Sequence, residues 1–316
     1  MTDLLLMTPF APPELTAELE RRFATHHFWE MGEAGAIPPA VAARISAIAT
    51  TGSIGASAAL MAALPKLKMI AVNGVGFDAI DLEVARARGI AITTTPDVLT
   101  DAVADMAVSL ALAASRRIVE GDRFVREGKW LAGRLGLGWS LRGQTAGILG
   151  YGRIGRRIAE ILEAFEMTVL YCDLAPAPGR EAAFRPTAEA LARDCRVLIV
   201  AAAGGAGTRE LVDCAVLRAL GPSGLLVNVA RGSVVKEPDL IAALEAGELG
   251  AAALDVFADE PKVPPALTAR DNVIATPHIA SATLEARLAM GRLVIDNLAA
   301  FFEGRPLVTP LALAGP

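Results

Sequence analysis

The stretch TAGILGYGRIGRRIAEILEAFEMTVLYCD, Thr145 to Asp173, leaves few folds open. An apolar run of strand length ends at Leu149. Gly150, Gly152 and Gly155 then form G-x-G-x-x-G, after which Ile154, Ile158, Ile161, Leu162 and Phe165 recur at the spacing of one helix face. A second strand, Thr168 to Tyr171, runs into Asp173. Strand, glycine turn, helix and strand in that order make a crossover unit of two parallel strands. Its glycines permit a tight turn, let the backbone approach a pyrophosphate and let the helix pack on the strand. The first N–H groups of the helix, with its dipole, face an anion. Asp173 stands about 20 residues on, where a carboxylate accepts hydrogen bonds from a ribose diol. The other glycine cluster, NGVGF from Asn73 to Phe77, lacks the third glycine.

The rest of the chain repeats the alternation, so the fold class is α/β with parallel sheets. Strands are expected at Leu4 to Met7, Met69 to Asn73, Ala91 to Thr93, Val197 to Ala201, Leu225 to Val229, Ala252 to Val256 and Val273 to Ala275. Helices are expected at Ala102 to Arg116 and Pro238 to Ala246. At 316 residues, 53% of them apolar, the chain has material for two cores. The net charge is −5 and the basic residues are scattered, which argues against a nucleic-acid partner. MTDLLLM is too short an apolar run for an export signal or a membrane span. Cys172, Cys195 and Cys214 show no metal-ligand spacing, so no metal is expected; they read as small buried hydrophobes in a reducing, cytoplasmic compartment.

A second stretch, LLVNVARGSVV, is an apolar strand that finishes on Arg231, with Gly232 beside it to turn the backbone. Two more strands come after it. ALDVFADEP carries Asp255 within it and Glu260 in the loop beyond, and NVIATPHIASAT brings His278 to a strand end. Ligands of open α/β sheets bind at the carboxyl ends of strands, so three successive strands aim Arg231, Glu260 and His278 at one place. The other two histidines, His26 and His27, lie in FATHHFWE, far from this half of the sequence. Asp78 and Asp81 read as helix caps, and Trp139 as interface packing.

Taken in order, GILGYGRIG, NVARGSVV, ALDVFADEP and TPHIASAT, with TPDVLTDAVADMAVSLALAASRR from Thr95 to Arg117 ahead of them, resemble the D-isomer-specific 2-hydroxyacid dehydrogenases over nearly the whole chain. NGVGFD, TPDVLTDAVAD and the lack of an appended C-terminal regulatory domain make it most similar to the glyoxylate and hydroxypyruvate reductase branch, which includes 2-ketogluconate reductases. The resemblance implies two Rossmann-like, doubly wound parallel-sheet domains with a cleft between them. The substrate domain would be discontinuous, residues 1–98 and 286–316, with a dinucleotide-binding domain of residues 99–285 inserted. It also implies a homodimer joined largely through the cofactor domains. Two motifs depart from the family pattern, since Lys236 replaces a usual acid and Ala202-Ala203 a frequent Cys-Pro.

What the resemblance implies chemically is the NAD(P)H-dependent reduction of a small 2-keto acid to the D-2-hydroxy acid. Arg231 would pair the substrate, whose developing oxyanion needs a fixed cation. His278 would donate the proton and Glu260 orient it, while the backbone N–H groups of Val75 and Gly76 would receive the substrate carboxylate. Thr100, Gly150, Gly152, Arg153, Ile154, Gly155, Asp173, Val229, Ala230, Asp255 and His278 match positions that contact the cofactor. Branch members that use NADP commonly carry a small polar residue followed by arginine where this chain has Asp173-Leu174, so the acid favours NAD. Two other readings fit the same motifs: a phosphoglycerate dehydrogenase-like enzyme, and a dinucleotide-sensing protein that acts through protein partners. The compact length favours an enzyme.

Overall fold

The computed structural model describes residues 3–31 and 37–312. The chain divides into two units, one made of residues up to Leu99 and from Ala282 onward, the other Thr100–Ser281. Thr283 caps the helix Leu284–Phe302, its side chain accepting from the Ala286 N–H, so a division after residue 285 would cut the first turn of that helix.

The first unit holds five parallel strands, β1 (Asp3–Leu6), β2 (Ala24–His27), β3 (Ile45–Thr51), β4 (Met69–Asn73) and β5 (Ala91–Thr93), in the order β2-β1-β3-β4-β5. Both faces of the sheet are covered. Leu4, Leu6, Ala47, Ala49, Met69 and Ala71 pack with Leu15, Leu19, Val294, Ile295 and Leu298, whereas Leu5, Ile48, Ile70 and Val72 pack with Leu60, Met61 and Leu64. This two-sided burial is why the strands read as continuous apolar runs. Each fully buried aliphatic side chain contributes about 1.5–3 kcal/mol. Alanines at 47, 49 and 71 leave room for the long helix Leu284–Phe302, and Gly291 lets it close on the first helix: a Cβ there would lie 2.3 Å from Leu15 Cδ1. Strands β2 and β3 were not expected from the sequence. ATHH is mostly polar and half-buried on all four residues, at the sheet edge, while ISAIATT mixes Ile, Ala, Ser and Thr with neither a continuous apolar run nor a strict alternation.

The second unit holds six parallel strands, β6 (Thr145–Leu149), β7 (Thr168–Cys172), β8 (Val197–Val200), β9 (Leu225–Asn228), β10 (Ala251–Leu254) and β11 (Val273–Ala275), in the order β11-β10-β9-β8-β6-β7. A parallel bridge from Tyr171 to Phe184 begins a further strand outside β7. With it, the order is that of a dinucleotide-binding sheet whose winding reverses between β6 and β8. Because all six strands run the same way, the residues just beyond their C-terminal ends share one edge of the sheet. Cys172 and Cys195 are buried, and burial pushes the Cys195 thiol up to about 12, so neither is reactive. Cys214 departs from the sequence reading: it opens the helix Cys214–Leu220 on the surface, where Asp213 caps that helix. No helix among the described residues is long and apolar enough to cross a membrane.

Candidate active site

At the β6 end the three glycines serve different purposes. Gly150 has φ +95°, and a Cβ there would lie 2.5 Å from Ala202 Cα. A Cβ on Gly155 would lie 2.0 Å from the Gly150 carbonyl oxygen. The protein's own packing demands both. At Gly152, no protein atom lies within 4 Å of where a Cβ would stand. That glycine leaves open the approach to the helix Arg153–Ala164, which starts without a side-chain cap. An open backbone face ahead of an uncapped helix N-terminus suits the pyrophosphate of a dinucleotide. Arg153 and Ile154 form the first turn of that helix, and Thr100 opens the helix Thr100–Ser115.

Asp173 comes directly after β7, with Oδ2 accepting from the Tyr151 N–H at 2.6 Å and Oδ1 from the Leu174 N–H at 2.7 Å. A carboxylate has roughly four acceptor directions, so both oxygens keep capacity for ribose hydroxyls while the loop fixes their orientation.

The ends of β9, β10 and β11, which are neighbours in the sheet, bring the charged residues together. His278 Nδ1 lies 2.7 Å from Glu260 Oε2, and Glu260 Oε1 accepts from the Phe257 N–H at 3.0 Å. A carboxylate only accepts, so Nδ1 carries the hydrogen and Nε2 is left as the atom that exchanges a proton. Burial pushes the Glu260 carboxyl up. The hydrogen bonds from His278 and Phe257, with the charges of His278 and Arg231, more than offset this and hold it below the usual glutamate range. Arg231 is half-buried, and its Nη1 donates to the Ala230 carbonyl at 2.7 Å.

Gly232 is needed for close approach: a Cβ there would lie 1.9 Å from the carbonyl of Phe257. The arginine loop thereby presses directly on the segment that carries Glu260. Any larger residue at 232 would push the two apart.

Two supporting residues went unrecognised in the sequence, one by role and one altogether. Asp255 lies just past β10 rather than within it, fully buried. Its carboxylate accepts from Thr276 Oγ1 (2.6 Å), the Ile279 N–H (2.9 Å) and the Ala280 N–H (2.8 Å), and its carbonyl accepts from the His278 N–H. It holds the histidine loop, in which His278 sits at φ +53°, a conformation that costs of order 1–3 kcal/mol unless the surroundings impose it. Asn228 does the same for the arginine, its Nδ2 donating to the Arg231 carbonyl and its Oδ1 accepting from the Ala230 N–H. Val229, between them, is buried. The signal that could have found both is a polar residue closing an apolar strand, as in LLVN and AALD.

In the first unit, Val75 and Gly76 lie beyond β4 in an exposed turn whose Gly74 has φ +156° and a carbonyl that accepts from the Thr95 N–H. His26 pairs with Asp3, and His27 with Glu20 and Glu30 while stacking on Trp29. Asp81 caps the helix Leu82–Ala87. In the second unit, Trp139 lies under the Arg196 guanidinium at 4.0 Å. Among the described residues no group of side chains could hold a metal ion.

The doubly wound sheet, the open glycine turn and the carboxylate–histidine pair define a nicotinamide-dependent oxidoreductase. Residues 108–280 match the family described as D-isomer specific 2-hydroxyacid dehydrogenase, NAD binding domain. The chain is 43% identical to the 2-ketogluconate reductase of Gluconobacter oxydans, over 98% of both chains. Among solved structures, a 2-hydroxyacid dehydrogenase from Ketogulonicigenium vulgare superposes with a TM-score of 0.90 at 45% identity over 100% of both chains. An NADPH-dependent glyoxylate/hydroxypyruvate reductase from Sinorhizobium meliloti, in complex with NADP and malonate, superposes at 0.92 and 40% identity, covering 98% of this chain and 97% of the other. The chain belongs to the D-isomer-specific 2-hydroxyacid dehydrogenases, and its relatives there include 2-ketogluconate and glyoxylate/hydroxypyruvate reductases.

Proposed function

We propose that the protein reduces a small 2-keto acid, with glyoxylate and hydroxypyruvate first among candidates, to the D-2-hydroxy acid. The observation that carries this reading is the His278–Glu260 pair, with Nε2 left to exchange a proton. The open glycine turn at Gly152 and Asp173 would hold the dinucleotide, which when bound would supply the hydride. Arg231 pairs the substrate and steadies the charge that develops on the keto oxygen, the role for which a rigid, permanently charged fork is suited. His278 Nε2 gives that oxygen its proton, and Glu260 holds the imidazole in orientation and stabilises its charged form. The backbone N–H groups of Val75 and Gly76 receive the substrate carboxylate.

Asp173 supports NAD as the preferred dinucleotide. A 2′-phosphate beside it would set like charges together, a repulsion of about 4 kcal/mol at 4 Å and an effective dielectric of 20 before salt reduces it. Of the arginines that could rescue the phosphate, Arg153 and Arg180, the latter is paired with Glu163 at 2.6 Å.

The working form is a cytoplasmic homodimer joined through the cofactor unit. Support comes from the helix Ile118–Arg126, which buries none of its residues, and from Trp130, Leu131 and Leu137, the last two 97% and 95% exposed.

The test is a panel of 2-keto acids with NADH and with NADPH, followed by the absorbance of the reduced nicotinamide. Turnover of glyoxylate or hydroxypyruvate supports the assignment. Silence across the panel from a folded protein that binds the dinucleotide would instead indicate the sensing role.

A further inference from the structure

The loop after β7 holds a cluster that the chemistry above does not use. The Tyr151 ring stacks on Tyr171 with centroids 4.0 Å apart, and Arg156 and Arg180 approach it at 5.5 and 6.0 Å. Arg180 Nη1 pairs with Glu163 at 2.6 Å near the C-terminal end of the helix Arg153–Ala164. Tyr151 also links this cluster to the ribose end, because its own N–H donates to Asp173. Arg180 is the first basic residue after Asp173, seven positions on in DLAPAPGR, and Leu174 between them is fully exposed and apolar.

We propose that Glu163 is a specificity-determining residue: by pairing with Arg180 it withholds from the ribose end the first cation beyond Asp173 in the chain, one that could take a 2′-phosphate. This rests on the reading that Asp173 favours NAD, and it adds a second, remote determinant. Selectivity then has two parts. Asp173 repels the phosphate directly, and the Glu163–Arg180 pair denies it a partner.

The geometry gives the pair the character of a latch. Both side chains are partly exposed, at 34% for Arg180 and 41% for Glu163, so the ion pair is solvent-screened and contributes little to stability. The Nε of Arg180 is buried without a partner in the protein, so the docked pose leaves one donor unpaired. An arginine that loses its carboxylate exchanges one charge-assisted hydrogen bond for another when it turns to a phosphate, the anion its fork matches best.

The experiment compares kcat/KM for NADH and NADPH, with one keto acid, in the parent, Glu163→Gln, Arg180→Gln and the double variant. In Glu163→Gln we expect kcat/KM for NADPH to rise roughly 10-fold, the worth of one charge-assisted hydrogen bond at a screened site, with the NADH value within about two-fold of the parent. The gain should shrink as salt is raised, and it should vanish in the double variant. A parent that prefers NADPH would sink the reading of Asp173 and, with it, the latch that rests on it. A parent that prefers NADH, with no NADPH gain in Glu163→Gln or with a gain that survives Arg180→Gln, would overturn the latch. Titration of protein fluorescence with NADP⁺ reads the same contrast without turnover.

Discussion

The two units carry the same architecture, a parallel sheet buried on both faces, and differ in the residues placed just beyond the strands. In the second unit, the ends of β9, β10 and β11 carry Arg231, Glu260 and His278, and two of the three loops are tied down by a buried polar residue: Asn228 for the arginine, Asp255 for the histidine. In the first unit, β4 closes on the buried Asn73 and runs into Gly74-Val75-Gly76, a turn that carries no polar side chain. The ends of β9, β10 and β11 present charge and a titratable ring, the turn after β4 bare N–H groups. The fold therefore decides where a site can lie and the residues after the strands decide what it does.

That contrast is broken hardest at His278. His278→Ala should lower kcat for keto-acid reduction by ~10²- to 10⁴-fold, the usual worth of a general acid, with dinucleotide affinity nearly unchanged. Near-parental turnover from a variant folded by circular dichroism would remove the proton-donor role. Arg231→Lys should cost roughly 10- to 10²-fold in kcat/KM, because a point charge cannot supply two parallel hydrogen bonds. Parental kinetics there would make the arginine structural. Glu260→Gln should cost roughly 10-fold or more in kcat, since the amide fills the same place but loses the charge and sets an NH2 donor against either the His278 Nδ1–H or the Phe257 N–H. The pH profile gives an independent check. The folded-state pKa of Glu260 is depressed, so its hold on His278 is complete above the ordinary glutamate value and is lost only as pH falls through the lowered one. The acid limb due to Glu260 should thus lie below about pH 4.3, and a limb due to it at higher pH would contradict the geometry.

The sequence was most legible where function and fold make the same demand. G-x-G-x-x-G between a strand and an amphipathic helix, and charged residues closing apolar strands, lead directly to the dinucleotide turn and to the carboxylate–histidine pair. It was least legible where a residue serves a neighbour. Asp255 also has a second task that its position in ALDV does not announce, since three hydrogen bonds to its carboxylate come from the loop of His278. Asn228 passed as the tail of a strand. Gly232 is explained by Phe257, 25 positions on, a close approach that no local pattern records. Among the strands, β2 escaped because Ala24, Thr25, His26 and His27, half-buried at an edge, carry no period, and β3 because its mix of Ile, Ala, Ser and Thr shows no strict alternation.

The mildest test concerns Asp3 of the first unit, which opens β1 and so lies at the opposite end of the parallel strands from the turn at Val75 and Gly76. Asp3 opens β1, is 4% exposed, and its Oδ2 takes hydrogen bonds from His26 Nε2 at 2.8 Å and Arg44 Nε at 3.0 Å, tying β1 to the edge strand β2 and to the start of β3. Burial pushes the Asp3 carboxyl up, and the hydrogen bonds from His26 and Arg44, with their charges, more than offset this and leave it below the usual aspartate range. A depressed folded-state pKa stabilises above the unfolded value and ceases to do so as pH falls through the folded one. Asp3→Asn should therefore cost about 1 kcal/mol at neutral pH, discounted because Arg44 is largely exposed, and lower Tm by roughly 4 °C. The difference from the parent should close as pH falls below about 3.9, where the unfolded carboxyl protonates, and kcat/KM should not change at neutral pH. A loss of activity at parental stability would mean that the far end of this sheet is coupled to the turn at Val75 and Gly76, and the division of labour between the two ends of its strands would fail.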